Sequence, residues 1–272
     1  MKSVLIAESG GTKTDWCLIR NGEVTIRKVS FSMHPANWNA DFFVKVGVFL
    51  NEMLDGDEVP IVIYSAGCHQ ESNRQELASQ INSLGYETEV QSDLVAGGRS
   101  VGIDNSARIA ILGTGSVLFT FANDKVIDLV GGKGYQIGDE GSGYYFGKLV
   151  LDLWKEKKLN DAQIEVLEAN FERSELVASV GTSNEKYLIA SIAKGLSDYQ
   201  QLFLEIHRSN FKAFCESHEV AKSSNQLYVI GGYGFHHRNI LEEVFGAFGV
   251  GIVKIIQRPI DLLIEQTISL TD

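Results

Sequence analysis

Two glycine- and hydroxyl-rich segments carry groups that could bind phosphate. The first is Ser9-Gly10-Gly11-Thr12 and the second is Gly113-Thr114-Gly115-Ser116, and each follows an apolar run. Glycine lets the backbone approach a bound group, and the peptide N–H groups of such a turn form a concave set of donors for phosphate oxygens. Lys13, Thr14 and the hydroxyls within the two segments could add further donors. One such turn is most often only a tight turn, but two in equivalent places favour phosphate binding.

The acidic residues near these segments could serve a metal ion or a proton transfer. Glu8 ends the first predicted strand, where its carboxylate could hold Mg²⁺ through water or could simply be a solvated strand-end acid. Lys13 could lie near phosphates or could pair with Glu8 or Asp15. Neither turn has the spacing of a Walker loop or of a Rossmann G-x-G-x-x-G motif.

The elements around the two turns repeat along the chain. Strands are predicted over 3–8, 15–20 and 23–30, and a second set over 107–112, 117–122 and 125–130. The first set is followed by helices and buried strands in alternation, which predicts a parallel extension of the sheet. The two halves therefore read as divergent copies of one α/β plan.

The second half becomes mainly helical before it returns to strands. Single helices are predicted over 198–218 and 235–248, strands over 226–230 and 251–256, and a last helix after Pro259. Further helices are predicted over 41–54, 73–84, after Asp93, and over 142–157, 161–170 and 184–194.

Composition restricts the classes of function. The chain has 272 residues, 44% of them hydrophobic, and a net charge of -11, so it lacks the broad basic surface that nucleic acid requires. No apolar stretch approaches the ~20 residues that cross a bilayer. The three cysteines are far apart and show no metal or disulfide spacing, which favours small core residues in a reducing cytoplasm. We expect a soluble cytoplasmic protein, and the acidic surface is compatible with a homodimer.

The run Ile6-Ala7-Glu8-Ser9-Gly10-Gly11-Thr12-Lys13-Thr14-Asp15 resembles the phosphate-1 motif of the N-acetylglucosamine kinases and the wider BadF/BadG/BcrA/BcrD-type ATPase family. Residues 112–116 resemble the phosphate-2 motif, and Gly231-Gly232 after a strand resembles the adenosine motif. The segment Gly134-Tyr135-Gln136-Ile137-Gly138-Asp139-Glu140-Gly141-Ser142 resembles the G-[WY]-x-x-G-D-E-G-S signature, the most specific match. The resemblance covers essentially the whole chain.

The resemblance implies an α/β protein of two ribonuclease H-like lobes of the sugar kinase/actin/Hsp70 type, each a mixed five-stranded sheet flanked by helices, with a cleft between them. We expect lobes at 1–104 and 105–272, with a last helix at about 259–270 packing back towards the N-terminal lobe. It implies ATP and Mg²⁺ as cofactors and a small amino sugar as substrate, either N-acetylglucosamine or a relative such as glucosamine or N-acetylmuramic acid.

The resemblance also implies roles for particular residues. Asp93 matches the catalytic base that takes a proton from the sugar hydroxyl, although from sequence alone it would be read as a helix N-cap. Asn37, Trp38, Asp139 and Glu140 match sugar-contacting positions. ATP-binding positions are Gly10, Gly11, Thr12, Lys13, Thr14, Gly113, Thr114, Gly115, Ser116, Gly231 and Gly232, and Glu8 is the magnesium position.

Two departures from the family pattern bear on which sugar is the substrate more than on whether the protein is a kinase. The first-motif Asp is Glu8 here, and Val117 replaces the Asn that follows the second turn in the N-acetylglucosamine kinases. His34 and Pro35 beside Asn37 are also unlike the family. Two alternatives stay open: an ATPase that drives a partner protein, and a nucleotide or sugar sensor that retains the fold without kinase activity.

Overall fold

The computed structural model describes residues 3–102, 106–182, 184–220 and 225–269. The chain divides into two compact units, one formed by Met1–Ile103 with Arg258–Asp272 and the other by Asp104–Gln257. The chain end from Arg258 onward thus belongs to the first unit. The lobe boundary expected at residues 104 and 105 lies outside the described residues.

The first unit is built on a five-stranded sheet in the order β3-β2-β1-β4-β5. The first three strands are antiparallel, and β4 and β5 extend the sheet in parallel with β1. Its strands are β1 Val4–Ser9, β2 Lys13–Arg20, β3 Glu23–Phe31, β4 Ile61–Ser65 and β5 Thr88–Ser92. Its helices are α1 Ala40–Leu54, α2 Glu71–Asn82, α3 Asp93–Val101 and, from the end of the chain, α11 Pro259–Ser269.

Alternation of side chains along the central strands gives this sheet two apolar faces. Leu5 and Trp16 belong to the core that includes residues of α1 and α2, whereas Ile6 and Cys17 belong to the core shared with α3 and α11. Because side chains alternate with a period of two residues, neighbours in sequence enter different cores. Glu8 falls on the α3 and α11 face, since it is two residues beyond Ile6.

The second unit repeats this plan with the order β10-β9-β6-β7-β8. Here too the central strand pairs antiparallel with its hairpin partner and parallel with the strand on its other side. Its strands are β6 Ser106–Leu112, β7 Ser116–Ala122, β8 Lys125–Gly131, β9 Gln226–Ile230 and β10 Gly251–Ile256. Its helices are α4 Gly143–Lys155, α5 Asp161–Asn170, α6 Arg173–Ser179, α7 Glu185–Gly195, α8 Leu204–Ser217, α9 Gly232–His236 and α10 Arg238–Ala247.

The core of the second unit is rich in aromatic side chains. Phe146, Phe203, Phe211 and Phe214 are fully buried. Helices α4 and α7 approach closely at Gly147, where a Cβ atom would lie 2.0 Å from the carbonyl oxygen of Ile189. A larger residue at 147 would therefore push the two helices apart.

The fold-class prediction of two mixed five-stranded sheets flanked by helices is confirmed. Two single-helix predictions are wrong. The segment 198–218 begins as a 3₁₀ turn at Ser197–Tyr199 and becomes helical only at Leu204, and 235–248 is interrupted at His237, which has φ -108° and ψ 26°. Apolar periodicity cannot separate i→i+3 turns from a continuous helix. Among the described residues, no helix combines the length and apolarity needed to cross a membrane.

Candidate functional site

The first glycine turn presents unused donors to open space. It is closed by the Gly10 N–H, which donates to the Lys13 carbonyl oxygen at 3.0 Å. Within the described part of the chain, the N–H groups of Gly11 and Thr12 have no protein acceptor. No heavy atom lies within 4 Å of a Cβ built on Gly10. The turn can therefore admit an anion to two neighbouring N–H donors.

Thr14 supports this turn from within the sheet. Its hydroxyl lies 2.8 Å from the Phe31 carbonyl oxygen and 2.9 Å from Ser9 Oγ, and Thr14 and Ser9 are fully buried. A carbonyl can only accept, so the single hydroxyl proton of Thr14 goes to Phe31. The Met33 N–H donates to Ser9 Oγ at 2.8 Å. These bonds fasten the turn to the segment after β3 and leave no hydroxyl proton of Thr14 for a ligand.

A group of carboxylates lies at the carboxyl end of β1. Asp15 is 6% exposed and forms ion pairs with Lys13 Nζ at 2.9 Å and with Arg258 Nη2 at 3.0 Å. Glu8, directly opposite Asp15, is half-buried. Burial, and then the charges of Asp93 and Asp15, raise the pKa of Glu8 to about 7. The end of β1 therefore favours a proton or a cation on Glu8.

Asp93 is the first residue of α3, and the capping alternative for it is wrong. The N-cap is Ser92, whose Oγ accepts a hydrogen bond from the Val95 N–H at 3.3 Å. Asp93 is half-buried, and its charge acts on both Glu8 and Cys68. A helix N-terminus stabilises a carboxylate. Since Ser92 supplies the cap, the Asp93 carboxylate is not needed for it.

The segment with Asn37 and Trp38 is a 3₁₀ turn of the first unit. The Trp38 indole N–H donates to the Met33 carbonyl at 2.9 Å, and Asn37 Nδ2 donates to the Ser32 carbonyl at 3.1 Å. His34 caps this turn, with Nδ1 accepting from the Ala36 N–H at 3.1 Å. The indole N–H of Trp38 and one amide N–H of Asn37 thus hold the segment, and the carboxamide oxygen of Asn37 is a group that can accept from a ligand.

The second glycine turn is closed in a similar way. The Gly113 N–H donates to the Gly115 carbonyl at 3.0 Å, and within the described residues the N–H groups of Thr114 and Gly115 have no protein acceptor. The N–H groups at the start of α4 hold the turn: Gly143 donates to the Gly113 carbonyl at 2.8 Å, and Tyr144 to the Thr114 carbonyl at 3.2 Å. This turn, too, presents two adjacent free donors.

The Asp139-Glu140 segment lies against the second turn. Asp139 Oδ1 accepts from the Ser116 N–H at 3.3 Å, and Ser116 Oγ donates to the Glu140 carbonyl at 2.6 Å. Asp139 is 4% exposed and adopts φ +66°, a conformation that Asp tolerates better than most residues. Its Oδ2 lies 3.4 Å from Lys186 Nζ. Sequence reasoning missed Lys186, because it stands in no motif.

Gly231 brings the predicted adenosine motif to the second turn. It has φ +116°, and a Cβ there would lie 2.7 Å from the Leu112 carbonyl oxygen, at the residue before Gly113. The next residue, Gly232, begins α9 and has no heavy atom within 4 Å of a built Cβ. The second unit therefore assembles the second turn, Asp139 and Gly231-Gly232 in one place.

Asn210 connects these parts, although it stands in no sequence motif. It is fully buried; its Oδ1 accepts from the Gly141 N–H at 2.6 Å, and its Nδ2 donates to the Ser142 carbonyl at 2.9 Å and the Tyr233 hydroxyl at 3.0 Å. His207 Nδ1 lies 2.8 Å from the same hydroxyl. Asn210 thus connects the segment after Asp139 with α9.

A metal ion in this region would need oxygen ligands from a bound phosphate in addition to those of the protein. Among the described residues, no group of three or more His, Cys, Asp or Glu could hold one. Mg²⁺ usually keeps several waters and binds one or two carboxylates plus substrate phosphates. Glu8 fits that pattern, because it is half-buried and its raised pKa reports a carboxylate that a cation would stabilise.

No protein-family model and no curated protein matches this sequence. Solved structures do match. A candidate N-acetylglucosamine kinase from Porphyromonas gingivalis has a TM-score of 0.87 at 22% identity, covering 98% of this chain and 99% of that one. A second, from Chromobacterium violaceum, has a TM-score of 0.71 at 18% identity, covering 100% and 99%.

A glucokinase of the ROK family from Streptomyces griseus, solved with glucose and AMPPNP, has a TM-score of 0.57 at 14% identity and covers 94% of this chain and 93% of that one. At these identities the similarity concerns the fold. The chain has the actin-like ATPase fold that these sugar kinases share.

Proposed function

We propose that this protein transfers the terminal phosphate of ATP to a hydroxyl of a small amino sugar, N-acetylglucosamine or a close relative. The observation that carries the proposal is the arrangement at the end of β1. There the charge of Asp93 helps to raise the pKa of the half-buried Glu8. Glu8 also adjoins a glycine turn whose Gly11 and Thr12 N–H groups have no acceptor within the described residues. Two proteins with a similar fold are candidate N-acetylglucosamine kinases, which supports this choice of reaction.

Asp93 is the proposed general base. The sugar hydroxyl oxygen forms a bond to the γ-phosphorus, the bond from that phosphorus to the β,γ-bridging oxygen breaks, and ADP leaves. The hydroxyl proton passes to the Asp93 carboxylate. Because most of the catalysis in phosphoryl transfer comes from alignment and charge neutralisation, the base contributes only part of the rate.

The ATP-binding residues of the proposal are the two turns and the glycines after β9. Gly11, Thr12 and Lys13 would donate to phosphate oxygens, and so would Thr114 and Gly115. Gly10, Gly113 and Ser116 would shape the two turns around the phosphates. Gly231 and Gly232 would lie beside the adenosine. Mg²⁺ bound to the phosphates would neutralise their charge, with Glu8 holding it through water. The ROK glucokinase with bound AMPPNP supports ATP as the nucleotide.

The sugar-binding residues of the proposal are Asn37, Trp38, Asp139 and Glu140, with Asn37 offering its carboxamide oxygen. Val117 is apolar and packs near Gly132, where a built Cβ would lie 3.3 Å from Val117 Cγ2. It therefore supplies no hydrogen bond to an acetamido group, and a change of sugar within the amino-sugar class is the expected consequence. The three cysteines are free and buried, which suits the reducing cytoplasm in which we place the reaction.

The test is release of ADP from Mg-ATP in the presence of glucosamine, N-acetylglucosamine, N-acetylmuramic acid, N-acetylmannosamine and glucose. We expect one sugar to stimulate release strongly, and Asp93→Asn to lower that rate by about 10²–10⁴-fold, the usual contribution of a general base. Asp161→Asn is the matched control, since Asp161 is the first residue of α5 and is exposed.

Equal losses in Asp93→Asn and Asp161→Asn would overturn the role of Asp93. Absence of stimulation by every sugar, with AMPPNP still bound, would overturn the kinase and favour an ATPase that drives a partner or a sensor.

A further inference from the structure

Lys186 places a positive charge beside the second glycine turn. It is the second residue of α7, its side chain is 28% exposed, and its Nζ lies 3.4 Å from Asp139 Oδ2. A Cβ built on Gly115 would lie 3.1 Å from Lys186 Nζ and 2.8 Å from Asp139 Oδ2. Glycine at 115 therefore leaves room for the two charged groups next to the turn.

The ion pair between Lys186 and Asp139 is loose. A charge-assisted N–H···O bond is normally about 2.7–2.9 Å long, and the separation here is longer. Asp139 Oδ2 is buried and, among the described residues, has no hydrogen-bond partner. The ammonium is thus held close by charge but keeps its three donors available.

The neighbouring backbone offers donors of the same kind. The Thr114 and Gly115 N–H groups have no acceptor within the described part of the chain, whereas the Ser116 N–H is taken by Asp139 Oδ1. Two free N–H groups and one ammonium form a site for a phosphate group, because each can donate to a different oxygen.

We propose that Lys186 is a phosphate-binding residue of the nucleotide site, and that Asp139 holds its ammonium beside the Gly113–Ser116 turn until ATP arrives. This inference rests on the proposed function. Its specific content is that Lys186 contacts the β- or γ-phosphate and not the AMP portion of the nucleotide. As a point charge on a flexible stem, lysine can move from Asp139 to a phosphate oxygen without a change in the backbone.

The experiment is calorimetric titration of the full chain with Mg-AMPPNP and with AMP, which lacks the β- and γ-phosphates. Lys186→Met should weaken AMPPNP binding by about 10- to 100-fold, in line with the loss of a charged hydrogen bond, and leave AMP binding within about twofold. Lys194→Met is the control, because Lys194 lies on the same helix and is exposed. It should change neither affinity.

A purely structural role for Lys186, neutralising Asp139, would also weaken AMPPNP binding when Lys186 is removed alone. The double variant Asp139→Asn, Lys186→Met separates the two roles, because it restores the net charge of the site. We expect it to bind AMPPNP about 10-fold or more weakly than the wild type. Wild-type affinity in the double variant would overturn the proposal.

Different binding results would contradict this inference and the proposed function. Wild-type protein that binds neither AMPPNP nor AMP would contradict nucleotide binding altogether. Wild-type protein that binds AMPPNP, together with a Lys186→Met variant of equal affinity, would contradict only the role of Lys186.

Discussion

Glu8 and Asp15 are directly opposed on β1 and β2, so two carboxylates face the same side of the first sheet. Asp15 forms ion pairs with both Lys13 and Arg258, whereas the pKa of Glu8 rises to about 7 through burial and the nearby acids. The cations of this region therefore pair directly with Asp15, and their effect on the pKa of Glu8 is smaller than that of burial and the nearby acids. This arrangement suits the proposed site, because a Mg²⁺ ion that arrives with the phosphates would stabilise the ionised form of Glu8.

The first prediction concerns stability and pH. The pKa of Glu8 is about 7 in the folded chain and 4.5 by its ordinary value, so the folded state binds more protons between these values. The contribution of Glu8 to the unfolding free energy should therefore fall as pH rises from 4.5 to 7, and the difference between the wild type and Glu8→Gln isolates it from other titrating groups. Glu8→Gln should be more stable than the wild type by about 3 kcal/mol at pH 8, and close to it at pH 4.5.

Urea unfolding at the two pH values measures this difference. Glu89→Gln is the control, since Glu89 is an exposed acid on β5 of the same sheet. An equal effect of both substitutions at pH 8 would show that the position of Glu8 is not special.

The second prediction concerns the glycines after β9. Gly231→Ala places a Cβ 2.7 Å from the Leu112 carbonyl oxygen in a backbone conformation with φ +116°. We expect a loss of about 2–4 kcal/mol in the unfolding free energy, and weaker nucleotide binding because the second turn is displaced. Gly232→Ala meets no atom within 4 Å and begins a helix, so it should be neutral or slightly stabilising.

Thermal and urea unfolding compare the two variants. Equal stability of Gly231→Ala and Gly232→Ala would contradict the close approach of Gly231 to β6.

The third prediction concerns the buried amide of Asn210. Asn210→Ala removes the acceptor of the Gly141 N–H, and it removes one of two partners of the Ser142 carbonyl and of the Tyr233 hydroxyl. We expect a loss of about 3 kcal/mol in the unfolding free energy, because the Gly141 N–H is left without an acceptor and two other buried groups each lose a hydrogen bond. Asn170→Ala should cost less than about 1 kcal/mol, since Asn170 is exposed and its side chain donates to the Val166 carbonyl of its own helix. Comparable losses in urea unfolding would be inconsistent with the Asn210 network.

The fourth prediction concerns acid stability. Burial lowers the pKa of His207 to about 2 and that of His237 to about 4, below the ordinary 6.5. Unfolding below pH 6.5 therefore takes up protons that the folded state excludes, and the contribution of these two histidines to the unfolding free energy should fall by up to about 2.7 kcal/mol for each unit that the pH is lowered. His237→Phe should reduce that slope, and His69→Gln, at an exposed position, should leave it unchanged. Equal slopes in all three proteins would contradict a buried, neutral His237.

The two sheets could be predicted from the sequence because alternation and turn residues are local signals. The β1–β2 and β6–β7 hairpins, for example, follow from apolar runs that end in glycine. The interruption at His237 could not be predicted, because it depends on where α9 and α10 pack. The same holds for the N-cap of α3. Ser92 and Asp93 are both of a residue type that caps helices, and the N-cap in the structure is Ser92.

The candidate site was predicted only where its residues stand in motifs. Glu8, Asp93 and the two turns were found in this way. Lys186 and Asn210 could not be predicted in this way, because each contacts a residue that is distant in the sequence. Lys186 lies beside Asp139, and Asn210 accepts from the Gly141 N–H. A single helical lysine or asparagine has no pattern in the sequence that would distinguish it from a solvated one.

The central claim is most directly tested by identifying the phosphorylated product. The full chain is incubated with Mg-ATP and each sugar of the panel, and mass spectrometry measures phosphosugar while ADP is quantified in the same sample. We predict that one amino sugar gains a single phosphate in equal amount to the ADP formed, and that Asp93→Asn lowers the rate of both by about 10²–10⁴-fold. ADP formed without any phosphosugar would contradict the kinase and indicate an ATPase.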